Sequence, residues 1–409
     1  MSWSGFDVAV TGIGMVTPAG VGTEASWANI LRGVPAAAPD PVLAGLPVDF
    51  SCRVPGFDAE VTLGPKVTWR TDRYTHLALA AAREAVGDAG LDPATWDGAR
   101  VGVVIGNALG GTSTFEAQHD VLRREGAERV SPMLIPMMGI SMVAGYLAID
   151  LAATGPNLVT VTACASGATA IGTARELLRC GKCDVVLAGG TEASITPLIV
   201  STFAKMGALS RRCADAARAS RPFDVDRDGF VPAEGAAILV LERAADARAR
   251  RAVVRARITG FGASADAHHA TMPDPSGAGV QQAIAMALAD AGVGPGEVDH
   301  VNAHGTATPL NDVTEARVLR RMLGDRPAVT SVKGVTGHSL GGAGAIEAAC
   351  TVLAVQHSVV PPTANLDRQD PEIDIDVVAG APRAMPISTA ISNSFGFGGQ
   401  NAVLVVSAA

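Results

Sequence analysis

The 409-residue sequence predicts a layered α/β protein built from two similar halves. Short runs rich in β-branched residues alternate with alanine-rich stretches, the pattern of strands that alternate with helices. Several segments recur later in the chain in the same order. Apolar residues make up 48% of the sequence and charged residues only 18%, which excludes a disordered chain. We therefore expect buried sheets covered by helices.

The predicted strands form two series of five. The first series is 7–14, 100–106, 157–163, 184–190 and 236–242, and the second is 254–262, 299–305, 328–334, 388–394 and 401–407. The charged stretch 242–257 reads as a solvated helix that joins the two series. We accordingly expect an N-terminal half over residues 1–250 and a C-terminal half over residues 251–409.

Three pairs of segments support this duplication. VTGIG (10–14) is matched by ITGFG (258–262), and GFVPAEGAAILVLE (229–242) by GFGGQNAVLVVSA (396–408). VTACASGATAIGTA (161–174) is matched by VTGHSLGGAGAIEA (335–348). The last pair sets Cys164 against His338, each at the N-terminus of a predicted buried helix. Chance similarity among segments rich in alanine and glycine is the alternative.

Composition and targeting signals narrow the functional class. The net charge of −8 argues against a nucleic-acid-binding protein, which usually contains a basic domain. The chain opens without a charged-then-apolar leader, and a chain of this length needs no disulfide framework for its six cysteines. These observations predict a cytoplasmic protein.

The stretch 130–149 carries no charge over 20 positions, nominally enough to cross a bilayer. Pro132 and Pro136 interrupt its first half, and no basic flank orients it. We therefore expect no membrane span here, but a helix buried on all sides in the core or in a subunit interface.

Cys164 is the first candidate for chemistry. It follows a predicted strand and precedes a helix, so that the positive end of the helix dipole should lower its pKa and favour the thiolate. A buried structural cysteine is the alternative. His304 and His338 lie in small-residue turns after strands, where a buried histidine without a catalytic role is also common.

Two charged residues and one basic patch complete the candidates. Glu315 and Lys333 are predicted to orient the site as an ion pair, although both could be surface charges. An acidic partner would need a local basic patch on this acidic chain. The candidates for that patch are Lys66, Arg70, Arg73 and Lys205.

Three other motifs suggest different chemistry. Residues 337–341 match the G-x-S-x-G elbow of serine hydrolases, but His357 is the only histidine downstream. Residues 224–229 mimic a calcium loop, but position 12 holds Gly235 where glutamate is required. Cys180 and Cys183 form a single C-x-x-C with no second pair. We predict no metal site.

Taken together, four motifs resemble the β-ketoacyl-acyl carrier protein synthases over essentially the whole chain. They are TACASG with Cys164, NAHGTATP with His304, KGVTGHSLGGAG with His338, and NSFGFGG (393–399), and RPFDVDRDGFVPAEGAAILVLE (221–242) is also similar to that family. The Cys-His-His set resembles the elongating, decarboxylating branch. It does not resemble the Cys-His-Asn initiating branch or the Cys-His-Cys thiolases.

This resemblance implies a thiolase-like fold, with duplicated halves in five α-β-α-β-α layers, paired as a dimer. It implies that Cys164 carries an acyl group, and that His304 and His338 stabilise the enolate formed when malonyl thioester loses carbon dioxide. The backbone amides of Cys164 and Phe397 would form the oxyanion hole, and Phe397 would also gate the pocket. Its other implied residues are Thr306 and Thr308 for the pantetheine arm, and Leu109 and Met133 for the acyl tunnel.

The same resemblance implies an acyl carrier protein as partner and no cofactor beyond that carrier's phosphopantetheine. The second subunit would be another copy of the chain or a subunit similar to a chain-length factor. The chain itself could be such a factor, but it retains Cys164. Gly334, Ser339 and Gln400 depart from the usual family pattern, and these departures favour type II polyketide or polyene synthesis over the alternative, housekeeping fatty-acid elongation.

Overall fold

The computed structural model describes residues 7–409. Its strands are β1 Val8–Thr17, β2 Gly20–Val21, β3 Ala38–Pro39, β4 Phe50–Ser51, β5 Val101–Gly106, β6 Asn157–Thr160, β7 Val185–Glu192, β8 Gly235–Arg243, β9 Ala256–Ala265, β10 His300–Asn302, β11 Ala328–Thr330, β12 Val359–Val360, β13 Arg383–Ala384, β14 Thr389–Gly396 and β15 Gln400–Ser407. Its helices are α1 Thr23–Leu31, α2 Ala59–Leu63, α3 Pro65–Thr68, α4 Arg73–Asp88, α5 Thr112–Glu125, α6 Leu134–Met138, α7 Met142–Asp150, α8 Ser166–Arg179, α9 Pro197–Lys205, α10 Ala244–Ala249, α11 Ala278–Ala291, α12 Pro309–Leu323, α13 Lys333–Thr336 and α14 Ala343–His357.

The strand order shows the duplication directly. The order is β6-β5-β7-β8-β1 in the first half and β11-β10-β14-β15-β9 in the second, and the two sets meet where β1 pairs with β9. In each half three neighbouring strands are parallel and the next two are antiparallel, in the same sequence. The expectation of two similar halves is confirmed.

The helices complete the five expected layers. Helices α4 and α7 cover the outer face of the first sheet, and α11 and α12 cover the outer face of the second. Helices α8 and α14 form the middle layer and pack against strands of both halves. A Cβ on Gly167 of α8 would lie 2.5 Å from the backbone nitrogen of Ala345 on α14, so the small residues permit this close approach.

Three predicted strands are shorter in the structure. The strand predicted over 299–305 is only His300–Asn302, and the other two end where the chain turns towards a short helix. The strand predicted over 157–163 ends at Thr160, because the chain turns there into the short 3-10 helix Ala163–Ala165. The strand predicted over 328–334 ends at Thr330, and Lys333 begins the short helix α13. At the ends of these two strands the chain leaves the sheet and places Cys164 before α8 and Lys333 beside Glu347 of α14.

The stretch 130–149 forms two helices and not the single helix that the sequence predicted. It is divided into α6 and α7 around Gly139, and in the single chain Ile135 is 70% and Ile149 is 76% exposed. Across residues 7–409, helices are too short or too polar to cross a membrane.

Candidate active site

A cavity of about 620 Å³ opens between the two halves, at the N-terminal ends of the middle helices. Most of the residues predicted for the site line this one cavity: Cys164, His304, His338, Glu315, Phe397, Thr306, Thr308 and Leu109. Lys333 lies directly behind His304, and Met133 lies outside the cavity lining.

The turn that carries Cys164 is tightly constrained. Ala163 has a φ of 49°, a left-handed conformation that costs energy for a residue with a side chain. Ser166 fixes the turn, because its Oγ accepts from the Thr162 N–H at 2.9 Å and donates to the Ala163 carbonyl at 2.7 Å. In the paired turn of the second half, Leu340 has a φ of 44°. The strained backbone therefore recurs in both halves beside the cavity.

The prediction that Cys164 is a thiolate at rest is wrong. Burial raises the pKa of the Cys164 thiol to about 11, because a charged sulfur would lose its hydration. The nearby Lys333 ammonium and the N–H groups of Phe397 and of Cys164 itself act in the opposite direction and lower that pKa. Desolvation is the larger effect, so the sulfur carries its proton at neutral pH. The two N–H groups nevertheless converge on the thiol.

The two histidine rings face each other across the cavity. Their centroids are 5.5 Å apart at an interplanar angle of 85°, and Phe230 and Phe395 pack against them. Burial lowers the pKa of both imidazoles well below the usual range, and the positive charge of Lys333 lowers each further. Both rings are therefore neutral at pH 7.

The predicted ion pair between Lys333 and Glu315 is wrong. The ammonium of Lys333 pairs with Glu347 of α14, donates to the His304 carbonyl at 2.6 Å and approaches His304 Nδ1 at 3.4 Å. Sequence reasoning missed Glu347, although it is the only acidic residue, and there is no Lys or Arg, in the mostly apolar segment 343–357. A lone charge in such a helix must find a buried partner.

Glu315 instead holds the backbone of the His304 turn. Its two carboxylate oxygens accept from the N–H groups of His304 at 2.8 Å and Gly305 at 2.9 Å. Asn393 donates to the same carboxylate at 3.0 Å. Glu315 therefore orients His304 through the main chain, and Lys333 orients it through the ring.

Removing the acid from the buried Lys333–Glu347 pair should destabilise the fold strongly. We expect Glu347→Ala to lower the free energy of unfolding by about 3–5 kcal/mol, because it leaves an unpaired ammonium in the core. Urea denaturation measures this loss.

The exposed pair between Arg317 and Glu372 supplies the control for that measurement. Glu372→Ala should cost at most about 1 kcal/mol, as is usual for surface ion pairs. Equal losses for the two variants would contradict the importance of the buried pair.

The predicted pantetheine and gate residues all line the cavity. Thr306 Oγ1 and Thr308 Oγ1 are 3.0 Å apart, on either side of Ala307, whose φ is 65°. Phe397 is half-buried, with its ring centroid 6.2 Å from that of Phe203. Its loop is tied down where the Gly398 N–H donates to the Ala270 carbonyl at 2.8 Å.

Of the three departures from the family pattern, only Gln400 lines the cavity. A Cβ on Gly334 would point at the backbone of Ala364, 2.7 Å from its carbonyl oxygen, and Ser339 is buried outside the lining. Gly334 and Ser339 do not contact the cavity and therefore give no information about the substrate.

The four basic candidates divide into two groups. Lys66 and Arg70 of the α3 region and Lys205 at the end of α9 are exposed, and Lys205 lies beside Met206 at the cavity mouth. Arg73 is different, because it forms a bidentate ion pair with the buried Glu234 at 2.7 and 2.6 Å. Arg73 therefore has a structural partner, and its inclusion in a docking patch stays a prediction.

The structure supports neither a serine-hydrolase site at residues 337–341 nor a calcium site at residues 224–229. His357 lies at the far end of α14 from Ser339, about 20 Å along the helix, and stacks on Trp27. Asp224 of the calcium-like loop pairs with Arg221 and accepts from the N–H groups of Asp367 and Arg368. Neither motif has the partners that its chemistry requires.

Comparisons with known proteins agree with this geometry. The profile of the beta-ketoacyl synthase N-terminal domain matches residues 6–247, and that of the C-terminal domain matches residues 255–367. The chain is 45% identical over 404 residues to the 3-oxoacyl-[acyl-carrier-protein] synthase 2 of Synechocystis sp., covering 97% of each chain.

Two solved structures are also similar. The ishigamide ketosynthase/chain length factor superposes with a TM-score of 0.92 at 32% identity and 99% coverage of each chain. A type II PKS acyl-carrier protein in complex with its ketosynthase bound to the hexaketide gives a TM-score of 0.89 at 32% identity, with 99% of each chain covered. With both domain profiles, the full-length relative and the layered fold in agreement, this chain is an acyltransferase that belongs to the beta-ketoacyl synthase family.

Proposed function

We propose that this chain condenses a Cys164-bound acyl group with malonyl-acyl carrier protein, with loss of carbon dioxide. The observation that carries the proposal is the convergence of one thiol, two backbone N–H donors and two neutral imidazoles on a single cavity. Each group matches one step of the reaction, and no step needs a metal or another cofactor.

In the first step, the sulfur of Cys164 attacks the acyl thioester of the carrier. A new C–S bond forms, the bond to the pantetheine sulfur breaks, and the thiol proton ends on the departing sulfur. The protonated resting state of Cys164 therefore leaves no net charge behind in the cavity.

In the second step, the malonyl thioester loses carbon dioxide, and the electron pair of the broken C–C bond forms an enolate. The Lys333 ammonium approaches His304 Nδ1 as a donor, so the ring proton of His304 is held on Nε2. This N–H, together with one from His338, donates to the enolate oxygen.

In the third step, the enolate carbon attacks the carbonyl of the acyl-cysteine. The N–H groups of Cys164 and Phe397, which converge on the thiol at rest, stabilise the tetrahedral oxyanion. The intermediate then expels the Cys164 sulfur as a thiolate and leaves the lengthened chain on the carrier. A proton from water restores the resting thiol.

The acyl side of the cavity supports a hydrocarbon substrate. Leu109, Val161, Phe203 and Leu340 line it with apolar side chains and offer no hydrogen bonds to the oxygens of a poly-β-keto chain. The 45% identity to a 3-oxoacyl-[acyl-carrier-protein] synthase 2 favours housekeeping fatty-acid elongation, the alternative to type II polyketide or polyene synthesis. A polyene chain, which is also a hydrocarbon, fits the same lining.

Incubating the purified chain with acyl carrier and malonyl carrier tests this function. Mass spectrometry should find a β-ketoacyl carrier longer by one two-carbon unit, together with released carbon dioxide. Carbon dioxide release without the lengthened product, or no reaction with any acyl carrier, would contradict the proposal.

We propose that the carrier docks at Lys66, Arg70 and Lys205. The acidic carrier would gain association rate from this patch, and salt would weaken the gain. Lys66→Glu with Arg70→Glu should raise KM for the carrier by about tenfold and leave turnover of a small thioester mimic unchanged.

The control is Lys182→Glu, which reverses an exposed charge at the end of α8. It should leave KM for the carrier unchanged. An unchanged KM in the double variant would remove Lys66 and Arg70 from the interface.

Phe397 is proposed to close the cavity over Cys164 until an acyl chain enters. Gly398 and Gly399, with φ of 79° and 70°, give the following turn a backbone that other residues rarely adopt. Phe397→Ala should therefore admit malonyl groups before Cys164 is charged, so that decarboxylation without condensation rises several-fold. Joint loss of folding stability and both activities would instead make Phe397 a packing residue.

A second subunit is proposed to cover the exposed apolar residues near the cavity. Val161 lines the cavity and is exposed in the single chain, as are Ile135, Ile149 and Leu158. A second copy or a chain-length-factor-like subunit would bury them. Native mass spectrometry of the complex purified from its source separates these two partners. The cytoplasmic location stays a prediction.

A further inference from the structure

Glu192 is a buried carboxylate that the proposed reaction does not use. It lies at the C-terminal end of β7 and is completely inaccessible to solvent. Burial raises its pKa to about 7, although several donors act to lower it. A buried acid that accepts this many hydrogen bonds holds its donors in defined positions.

The donors come from two segments that line the cavity. Oε2 accepts from the backbone N–H groups of Ala108 at 2.9 Å and Leu109 at 3.3 Å, both in the turn after β5. The N–H of Gly341, in the turn that follows His338, also acts on the carboxyl group and lowers its pKa. Ser194 Oγ donates to Oε1 at 2.7 Å.

These two turns meet directly at the carboxylate. A Cβ on Gly341 would lie 2.4 Å from the backbone nitrogen of Ala108, so the turn of the second half rests on the turn of the first. Leu109 and Leu340 project from them into the cavity lining, and His338 is two residues before Leu340. Glu192 thus joins the apolar wall of the cavity to the turn that carries a candidate catalytic histidine.

We propose that Glu192 is a positioning residue that sets the separation between Leu109 and the His338 turn, and thereby the length of acyl chain that the cavity accepts. The inference rests on the proposed function. Glutamine keeps the size of Glu192 but offers one accepting oxygen instead of two and no charge. At least one set of donors then loses its acceptor, and the two turns are free to shift.

The test compares acyl transfer to Cys164 from carriers loaded with short, medium and long chains. Glu192→Gln should change the ratio of kcat/KM for long over short chains by about tenfold. Glu192→Asp keeps the carboxyl group but, because its side chain is shorter, moves that group away from the donors, so it should change the ratio too. This second variant replaces Glu192→Gln in the test if the glutamine variant does not fold. Glu242→Gln is the matched control, because Glu242 is buried in β8 and bonds Thr11 and Arg250 away from the cavity.

A merely structural Glu192 would lower the melting temperature as Glu242→Gln does and leave the chain-length ratio unchanged. That result overturns the inference and leaves the proposed function intact. Failure of the wild-type chain to accept an acyl group from any carrier overturns both. A shifted ratio in the Glu192 variants, with an unshifted ratio in Glu242→Gln, supports the role of Glu192.

Discussion

Cys164→Ala should abolish condensation, with a loss of about 10⁴-fold or more. The reason is that the variant removes the only thiol in the cavity lining of the described chain, and with it the covalent intermediate. Peptide mass mapping after incubation with acyl carrier should find the acyl group on Cys164 in the wild type and on no peptide of the variant.

The same variant separates the two half-reactions. His304, His338 and Lys333 remain in place, so malonyl carrier should still lose carbon dioxide in Cys164→Ala. Cys213→Ala is the control, because Cys213 is exposed and lies outside the cavity lining. Acyl label on Cys213 or on any other cysteine would refute the assignment of the nucleophile.

The sequence predicted the architecture well because its main features are local. Each half repeats the same order of strand, tight turn and small-residue helix. The predicted pairing of Cys164 with His338 is wrong, because the 3-10 turn Ala163–Ala165 before α8 corresponds to Leu340–Gly342 before α14, which sets Cys164 against Gly341. Helix α14 is buried around its whole circumference, as its composition indicates. These features depend on patterns within a few residues of each other.

The electrostatic partners depend on the tertiary structure and were harder to predict. Lys333 has a glutamate on either side in the sequence, Glu315 before it and Glu347 after it, and only the placement of α14 in the middle layer selects Glu347. In the sequence, Arg73 is indistinguishable from the exposed Arg70, and only the fold shows that Arg73 pairs with the buried Glu234. The predicted protonation state of Cys164 was also incorrect. Burial raises the pKa of the thiol by more than the helix terminus, which the sequence does reveal, can lower it.

His304→Ala and His338→Ala should each slow carbon dioxide release from malonyl carrier by about 10²- to 10³-fold, while acylation of Cys164 is largely retained. Each replacement removes one N–H donor to the enolate oxygen and leaves the thiol and both backbone donors unchanged. Separate assays of carbon dioxide release and of acyl transfer to Cys164 measure the two effects.

His304→Gln tests the assigned tautomer, because the side-chain amide of glutamine can place an N–H near the position of His304 Nε2. It should recover part of the decarboxylation that His304→Ala loses. The low pKa of both imidazoles further predicts a decarboxylation rate without an inflection at about pH 6.5, since each ring is already neutral there. Equal losses in both half-reactions, or an inflection near that pH, would contradict neutral imidazoles that serve decarboxylation alone.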